Sequence, residues 1–392
     1  MTVGISLAQV CRWNKWLLTL LRGCCLLLLL GVVETRAVAH EQAVVWIVLD
    51  GVRWQELTRG LDTQLIADPV ASGSRLTAPQ LRRQYGDTAA QTSRERLMPF
   101  VWHELVPRGQ LYGNRDRGSN ATVLNPYWFS YPGYNEMLTG EADVAIGAND
   151  YGANPNQTLM AWLATQPQYR DSIGIYATWD VFHDIFNDTH TQLAVVAGQN
   201  VVSDAAHSRP RHAVDASFCV SDASVFARLQ RDLKAPLPKL LFVGFGEADT
   251  WAHMRRYDQV LKTLQQADGY IQALWELYQR DPKTRNHTTF LLTTDHGRGR
   301  LPATWSEHWS GIDGANEIFM LWRGPGIAPL GEAVGSQPVW QAQIAATVAA
   351  QLGYAWRDVH PQAAAQLSFI STPTDTSQAT LMPVRSNPVG SP

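Results

Sequence analysis

The chain is poor in cysteine, and charges of neither sign dominate it. Only four of its 392 residues are Cys, and the formal net charge is −3. This balance gives no sign of the clustered basic excess that a nucleic-acid-binding surface requires. Hydrophobic residues make up 45% and charged residues 17% of the chain. Such a composition is typical of a globular protein and excludes a disordered or fibrous one.

No apolar run is long enough for a permanent membrane span. Residues 24–33 (CCLLLLLGVV) are apolar, but a transmembrane helix needs about 20 such residues. Basic Arg12, Lys15 and Arg22 precede this run and small residues follow at 37–39, which is the pattern of a signal peptide. We therefore predict that residues 1–39 are removed and that the protein is periplasmic or secreted, with no stable membrane span. Cys219 then remains alone, which excludes an internal disulfide.

Several short apolar runs end at polar residues. The clearest are 43–49, 239–245 and 290–294, and 172–177 and 317–322 are weaker examples. Continuous apolar runs are typical of strands that are buried on both faces. From Val260 the apolar residues recur at helical spacing until Pro282 ends the pattern. The sequence therefore predicts an α/β fold, with a mostly parallel central sheet and helices on both faces.

We interpret residues 40–370 as a single domain. Residues 57–98 have little periodicity and mix Gly, Pro, Arg and Gln, so we predict an irregular insertion or partial cap there. Residues 371–392 are rich in Ser, Thr and Pro, and we predict a disordered tail.

Candidate catalytic residues follow the predicted strands. Asp249 and His253 are four residues apart, so on a helix both side chains face one metal ion. Asp295 and His296 directly follow a strand, as Asp50 does. In an α/β sheet the carboxyl ends of the strands are where ligands bind. Taken singly, each motif has an ordinary explanation, such as a helix N-cap Asp or a turn.

Ser130 is the candidate nucleophile. No G-x-S-x-G motif surrounds it, which argues against an α/β-hydrolase triad. A Ser hydroxyl needs a base or a metal ion for activation, and the other candidate residues favour a metal. We expect a helix to begin near Pro132, so that its dipole would also favour an anion beside Ser130.

Together, these motifs and their order resemble the alkaline phosphatase superfamily, and within it the nucleotide pyrophosphatase/phosphodiesterase-like branch. Some bacterial members of this group are labelled phosphoglyceromutase-like. The resemblance runs from Val45 to about Gly326. The motifs that carry it are VLDGVRW around Asp50, Ser130-Tyr-Pro, Thr139-Gly140, Asp249 to His253, Asp295-His296-Gly297, and His308 ahead of a strand ending in Arg-Gly-Pro-Gly.

The resemblance implies an alkaline phosphatase-like fold and two divalent metal ions. Zinc suits the ligand types best, and manganese is the alternative. One ion would be held by Asp249, His253 and His308, and the other by Asp50, Asp295, His296 and the Ser130 oxygen. The family also uses an Asn, some twenty residues after the nucleophile, to hold the phosphate. Asn149 and Asn154 both come near that spacing, and the sequence does not choose between them.

The expected activity is hydrolysis of a small-molecule phosphate ester through a phosphorylated Ser130. A sulfatase would carry Arg where this chain has Tyr134, and the span from Ser130 to Asp249 is too short for the inserted domain of a phosphoglycerate mutase. Transfer of a phosphoryl-type group to an envelope lipid or sugar is the first alternative, and a non-catalytic binding protein is the second.

We expect diesters to be slightly preferred over monoesters. No Lys or Arg lies between residues 125 and 149, and a monoester dianion calls for an extra cation. Aromatic residues near the nucleophile could instead stack on an aromatic leaving group or pack in the core. The nearest cations along the chain are Arg115, Arg117, Arg298 and Arg300, and the aromatic residues are Trp128, Tyr131 and Tyr134.

Overall fold

The computed structural model describes residues 41–86, 90–202 and 219–369. Its strands are β1 (Ala43–Leu49), β2 (Gln110–Tyr112), β3 (Ala121–Thr122), β4 (Ile173–Ala177), β5 (Val195–Ala197), β6 (Leu240–Phe245), β7 (Thr288–Thr293), β8 (Glu317–Ile318), β9 (Met320–Arg323), β10 (Gly331–Glu332) and β11 (Val339–Trp340). Four of the five strands expected from the apolar runs are present, with bounds that differ by at most two residues. The fifth run, 317–322, is divided into β8 and β9, which belong to different sheets.

The helices are α1 (Trp54–Arg59), α2 (Pro69–Ser72), α3 (Ala78–Tyr85), α4 (Ala90–Leu97), α5 (Ser130–Thr139), α6 (Leu159–Ala164), α7 (Phe182–Ile185), α8 (Gln199–Val202), α9 (Asp222–Asp232), α10 (Glu247–His253), α11 (Tyr257–Arg280), α12 (Gln343–Gln351) and α13 (Trp356–Val359). Short 3-10 or π turns also occur at Leu65–Ala67, Val101–Leu105, Val106–Arg108 and Arg115–Arg117. Helix α11 is the one that the pattern from Val260 to Pro282 predicts.

Eight strands form the main sheet, in the order β10-β2-β9-β7-β1-β6-β4-β5. The five strands from β7 to β5 are parallel, and only β9 runs against its neighbours. A second sheet has the order β11-β3-β8. The predicted α/β architecture with a mostly parallel sheet is confirmed.

Strand β1 lies at the centre of this sheet, and both of its faces are covered. All seven of its residues are at most 2% exposed. Successive side chains of a strand point to opposite faces, so Val45 and Ile47 enter one hydrophobic core while Val44 and Trp46 enter the other. Helix α11 packs in the first core and α5 in the second. The continuous apolar run therefore reflects burial on two sides.

The segment 57–98 was expected to be irregular, but it consists largely of short helices. Leu57, Leu61 and Leu81 pack in the same core as Val45 and Ile47. None of the helices α1 to α4 exceeds eight residues, and so short a helix leaves little periodicity in the sequence. The segment thus completes one side of the core.

Two other predicted segments lie outside the described residues. These are the signal peptide at 1–39 and the tail at 371–392, and both stay predictions. Across 41–86, 90–202 and 219–369, no helix combines the length and apolar character that a membrane span requires.

Glu136 holds the segment that leads to the candidate nucleophile. It is fully buried in α5, and its carboxylate accepts hydrogen bonds from the backbone amides of Leu124, Asn125 and Ala342 at 2.8–3.1 Å. The Asn125 side-chain amide also donates to it, at 2.9 Å. One side chain thereby satisfies the backbone of two separate loops.

Replacing Glu136 should therefore destabilise the whole domain. For Glu136→Ala we expect the free energy of unfolding to fall by roughly 3 kcal/mol, because several buried donors lose their acceptor. Urea unfolding of the full chain measures this. As a control, Glu141→Ala removes a half-exposed carboxylate and should change stability by less than about 0.5 kcal/mol. Equal stability of both variants would contradict the role given to Glu136.

Candidate active site

Three carboxylates meet at one edge of the main sheet. Asp50 follows β1, Asp295 comes two residues after β7, and Asp249 lies in the first turn of α10, which begins just after β6. Strands β7, β1 and β6 are adjacent and parallel, so their carboxyl ends lie side by side. The sheet topology therefore brings together residues that are far apart in the sequence, as the strand-end motifs suggested.

These carboxylates belong to two groups of potential metal ligands. In each group, one ligand atom from every member lies within 4.8 Å of the others. The first group is Asp50, Asp295 and His296, and the second is Asp249, His253 and His308. The structure thus brings together the carboxylates and histidines that the resemblance implied as two ligand groups. That they bind metal ions stays a prediction.

His296 links the two groups with the candidate nucleophile. Its Nε2 atom lies 3.4 Å from Asp295 Oδ2, 3.7 Å from Asp50 Oδ1 and 3.9 Å from Asp249 Oδ1. The Ser130 hydroxyl is 3.4 Å from the same nitrogen. The His296 ring also stacks on that of His308, with 4.0 Å between centroids. All these groups therefore form a single continuous site.

The donor atoms of the first group fit a divalent cation. Asp50 Oδ1 and Asp295 Oδ2 are buried and have no hydrogen-bond partner. The other oxygens are occupied, since Tyr134 donates to Asp50 Oδ2 at 2.9 Å and the Gly51 amide donates to Asp295 Oδ1 at 2.9 Å. Buried carboxylate oxygens without partners are costly unless a cation neutralises them. Carboxylate and imidazole together form a typical zinc ligand set.

The electrostatics of the site follow from this crowding of like charges. Burial raises the pKa of Asp50 well above its ordinary value, and repulsion from Asp295 and Asp249 raises it further. Burial and the Asp249 charge also raise the pKa of Asp295. The pKa of His308 is lowered by burial and by the nearby His296 and Arg298. A neutral imidazole is the form that binds a metal ion.

Asp249 behaves differently because the protein supplies it with a cation. Burial opposes its ionisation, but the ionic partner Arg298 and the hydrogen bond to His253 outweigh that effect, so the pKa of Asp249 is lowered. Arg298 is only 2% exposed and donates to Asp249 Oδ1. Its remaining donors bind the backbone carbonyls of Gly51 and Ser306. The sequence makes Arg298 a candidate for contacting phosphate. These hydrogen bonds instead hold its guanidinium against Asp249 and the two backbone carbonyls.

Two glycines allow the elements of the site to approach each other. Gly51 has φ +60°, and a Cβ there would lie 2.6 Å from Asp249 Oδ1. At Gly133, within α5, a Cβ would lie 2.5 Å from the Asp295 carbonyl oxygen. Both contacts are far closer than a side chain permits. The glycines that follow Asp50 and Pro132 therefore allow Asp249 and Asp295 to pack directly against the backbone.

Ser130 lies at the beginning of α5, and only 6% of it is exposed. The helix starts two residues earlier than the sequence suggested, with extended Phe129 as its N-cap. Trp128, just before, has φ +58°, a conformation that L-residues rarely adopt. Asn125 holds this turn, because its Oδ1 accepts from the Tyr127 and Trp128 amides at 3.1 and 3.0 Å. The hydroxyl is thus held at a helix N-terminus, where the dipole favours anions.

The two candidate phosphate-binding asparagines differ in their surroundings. Asn149 is half-buried, and its Oδ1 accepts from the Tyr131 amide at 3.0 Å, within the first turn of α5. Asn154 is 1% exposed, and its side chain bonds to Asn135, Asn156 and the Ile185 carbonyl. The geometry therefore favours Asn149, whose amide lies beside Ser130, over Asn154.

Sequence reasoning did not identify the residues that support this site. Glu136, Asn125 and Tyr134 all lie in the motif around Ser130, but only their buried hydrogen bonds reveal their roles. Tyr134 and Tyr131 are fully buried, so packing in the core explains them and neither is free to stack on a leaving group. Trp128 is half-buried and stays available.

No family model and no curated protein sequence matches this chain, but several solved structures do. A 2-O GAG sulfatase aligns with TM-score 0.51 at 12% identity, over 80% of this chain and 71% of the sulfatase. A predicted sulfatase from Bacteroides thetaiotaomicron aligns with TM-score 0.50, with the same identity and coverage. The chain has an alkaline phosphatase-like fold.

At these identities the alkaline phosphatase-like fold is what the comparisons support. The lipoteichoic acid synthase LtaP from Listeria monocytogenes aligns less well, with TM-score 0.49 at 11% identity over 80% of this chain and 72% of the synthase. The comparisons do not distinguish the branches of the superfamily. Assignment to the nucleotide pyrophosphatase/phosphodiesterase-like branch therefore stays a prediction.

Removing one buried charge should stabilise the metal-free protein. Because the folded-state pKa of Asp295 is raised, the stability linked to this group is present below its unfolded pKa of about 4 and is lost as the pH rises through the folded pKa. Asp295→Asn should therefore unfold at higher urea than wild type at pH 8, by on the order of 1 kcal/mol. Near pH 4 the two proteins should converge.

The experiment requires a chelator throughout, so that no metal ion offsets the repulsion. Asp313→Asn is the matched control, since that carboxylate is 78% exposed and should leave the pH dependence unchanged. If Asp295→Asn were less stable than wild type at pH 8 under chelation, the proposed repulsion would be wrong.

Proposed function

We propose that this protein is an exported metal-dependent hydrolase that cleaves phosphate esters through a phosphorylated Ser130. The observation that carries the proposal is the position of Ser130. Its hydroxyl lies at a helix N-terminus, 3.4 Å from His296 Nε2, beside buried carboxylate oxygens that lack partners. This arrangement suits a nucleophile that attacks a phosphorus atom while anionic oxygens gather around it.

Two cations would be held by the two ligand groups. Asp50, Asp295 and His296, joined by the Ser130 oxygen, would hold one, and the group of Asp249 with its two histidines would hold the other. When bound, such ions lower the pKa of the hydroxyl, neutralise the leaving oxygen and activate water. Zinc suits these ligands best, and manganese is the alternative.

The residues of the chain would act in two steps. First, Ser130 Oγ attacks phosphorus and the phosphorus–oxygen bond to the alcohol breaks. The leaving oxygen takes the bonding electrons and one proton, which balances the proton that the Ser130 hydroxyl gives up. Asn149 Nδ2 would donate to a non-bridging oxygen, and the positive end of the α5 dipole would favour the negative charge there. Water then attacks the same phosphorus and the bond to Oγ breaks. One proton of the water goes to Ser130 Oγ, and the water oxygen stays on the released phosphate product.

The surroundings of the nucleophile favour a diester over a monoester. A monoester carries one more negative charge, and enzymes that prefer it usually place a cation over the extra oxygens. Each candidate cation has another partner. Arg298 binds Asp249, Arg115 and Arg300 bind Glu317, and Arg117 lies 3.9 Å from Glu332.

A sulfuryl ester substrate fits less well, although the similar solved structures include a sulfatase. The sulfatase pattern calls for Arg at the position of Tyr134. Here the Tyr134 hydroxyl donates to Asp50, and its ring packs on Phe182 and Phe242. A neutral, buried phenol at this position supports an unmodified Ser130 as the nucleophile.

Ser130→Ala should abolish turnover but not metal binding. We expect kcat on bis-nitrophenyl phosphate to fall at least about a thousandfold, because the attacking atom is lost while three protein ligands remain at each cation position. Metal content and kcat should be measured on the same zinc-loaded sample. Ser119→Ala is the control, since that buried hydroxyl bonds to Gly113 and Ser336 and should leave kcat unchanged. Wild-type rates in Ser130→Ala would refute the assignment.

A comparison of two substrates tests the preference for diesters. We expect kcat/KM for bis-nitrophenyl phosphate to exceed that for nitrophenyl phosphate, because the four arginines discussed above are engaged elsewhere. Both substrates share a leaving group, so the difference reports on charge at phosphorus. A hundredfold advantage for the monoester, about 2.7 kcal/mol in the transition state, would overturn the preference and require a cation over the phosphate.

A further inference from the structure

The two ligand groups differ in how far the protein neutralises them. Asp50 Oδ1 and Asp295 Oδ2 are buried and have no hydrogen-bond partner. Asp249, in contrast, has a permanently charged partner, because its Oδ1 accepts from Arg298. A bound cation would therefore stabilise the first group more than the second.

Arg298 is fixed in its position. Its Nε donates to the Gly51 carbonyl at 2.9 Å, one terminal nitrogen donates to the Ser306 carbonyl, and the other contacts both the carboxylate and the carbonyl of Asp249. The side chain is 1% exposed, so it has no room to move into solvent. A guanidinium stays protonated at any physiological pH, so its positive charge is a permanent part of the site.

This charge affects the two groups unequally. A cation held by Asp249, His253 and His308 would share the Asp249 carboxylate with the guanidinium and would be repelled by it. The group also offers only one negative charge. Asp50 and Asp295 offer two, and neither forms an ion pair with a basic side chain other than His296 among the described residues.

We propose that Arg298 makes the two cation sites unequal, so that the Asp50–Asp295–His296 site binds its ion first and tightly while the Asp249–His253–His308 site binds its ion weakly. Arg298 acts here as a positioning residue, because it contacts the ligand Asp249 and needs no contact with substrate. The proposal rests on the function proposed above, since it assumes that both groups bind divalent ions.

Zinc titration of the metal-free full chain tests this idea independently of activity. Calorimetry, with bound zinc counted after dialysis, should reveal one tight equivalent and a second at least about a hundredfold weaker. In Arg298→Gln the affinity for the second zinc ion should rise about tenfold or more, and the affinity for the first should stay unchanged. Arg298→Lys keeps the charge and should keep the second site weak. Arg300→Gln, a nearby Arg paired with Glu317 and Asp313, removes the same charge and should change neither affinity.

Arg298→Gln could fail to fold, which circular dichroism would reveal. In that case two further variants show which ligand group binds the tight zinc ion and which binds the weak one. His253→Ala should lose only the weak equivalent, and Asp295→Asn should lose the tight one. The opposite pattern, or two equal affinities in wild type, would overturn the inference while leaving the proposed hydrolase intact. Absence of any zinc binding would instead refute the proposed function together with it.

Discussion

Repulsion among three clustered carboxylates, two of them buried, is the constraint on which this site depends. The parallel strands β7, β1 and β6 end side by side, and Asp295, Asp50 and Asp249 follow them. Ionised carboxylates at such distances strongly oppose one another in a region of low dielectric constant. Protonation or a nearby cation offsets that cost. Arg298 supplies one permanent positive charge next to Asp249. Among the described residues, Asp50 and Asp295 form no ion pair with a basic side chain other than His296.

Hydrogen bonds in the segment before α5 hold the candidate nucleophile Ser130 close to these carboxylates. Glu136 accepts hydrogen bonds from the loop that precedes α5 and from the Ala342 amide. Asn125, itself bound by Glu136, holds Trp128 in its left-handed conformation. This arrangement costs conformational energy at Trp128, which buried hydrogen bonding offsets. The hydrogen bonds of Glu136 and Asn125 therefore hold Ser130 in place, and neither residue takes part in the proposed reaction.

The central strands and the convergence of three carboxylates at their carboxyl ends could be predicted from the sequence for a physical reason. The division of the ligands into two groups came from the family resemblance. A strand buried on both faces leaves a continuous apolar run, and a ligand that follows such a run lies at the edge of the sheet where sites form. Asp50, Asp295 and Asp249 each follow a run of this kind. Short helices escaped prediction, because eight residues or fewer carry too little periodicity to separate them from coil.

The supporting residues could not be predicted, because their roles depend on partners far away in the sequence. Arg298 follows the Asp-His-Gly motif directly and looked available for phosphate. Only the folded chain places Asp249 and the Gly51 carbonyl around its guanidinium. The choice between Asn149 and Asn154 was likewise open, since both have similar spacing from Ser130. The two residues differ in burial and in hydrogen bonding, and neither property can be read from the sequence.

The backbone contact at Gly133 has a consequence for which substitutions the chain tolerates during evolution. Because α5 touches the Asp295 backbone with no side chain between them, any larger residue at position 133 would push the helix that begins at Ser130 away from Asp295. The spacing between the candidate nucleophile and the end of β7 therefore depends on the absence of a side chain at this position, whereas the exposed loops can change in sequence without altering that spacing.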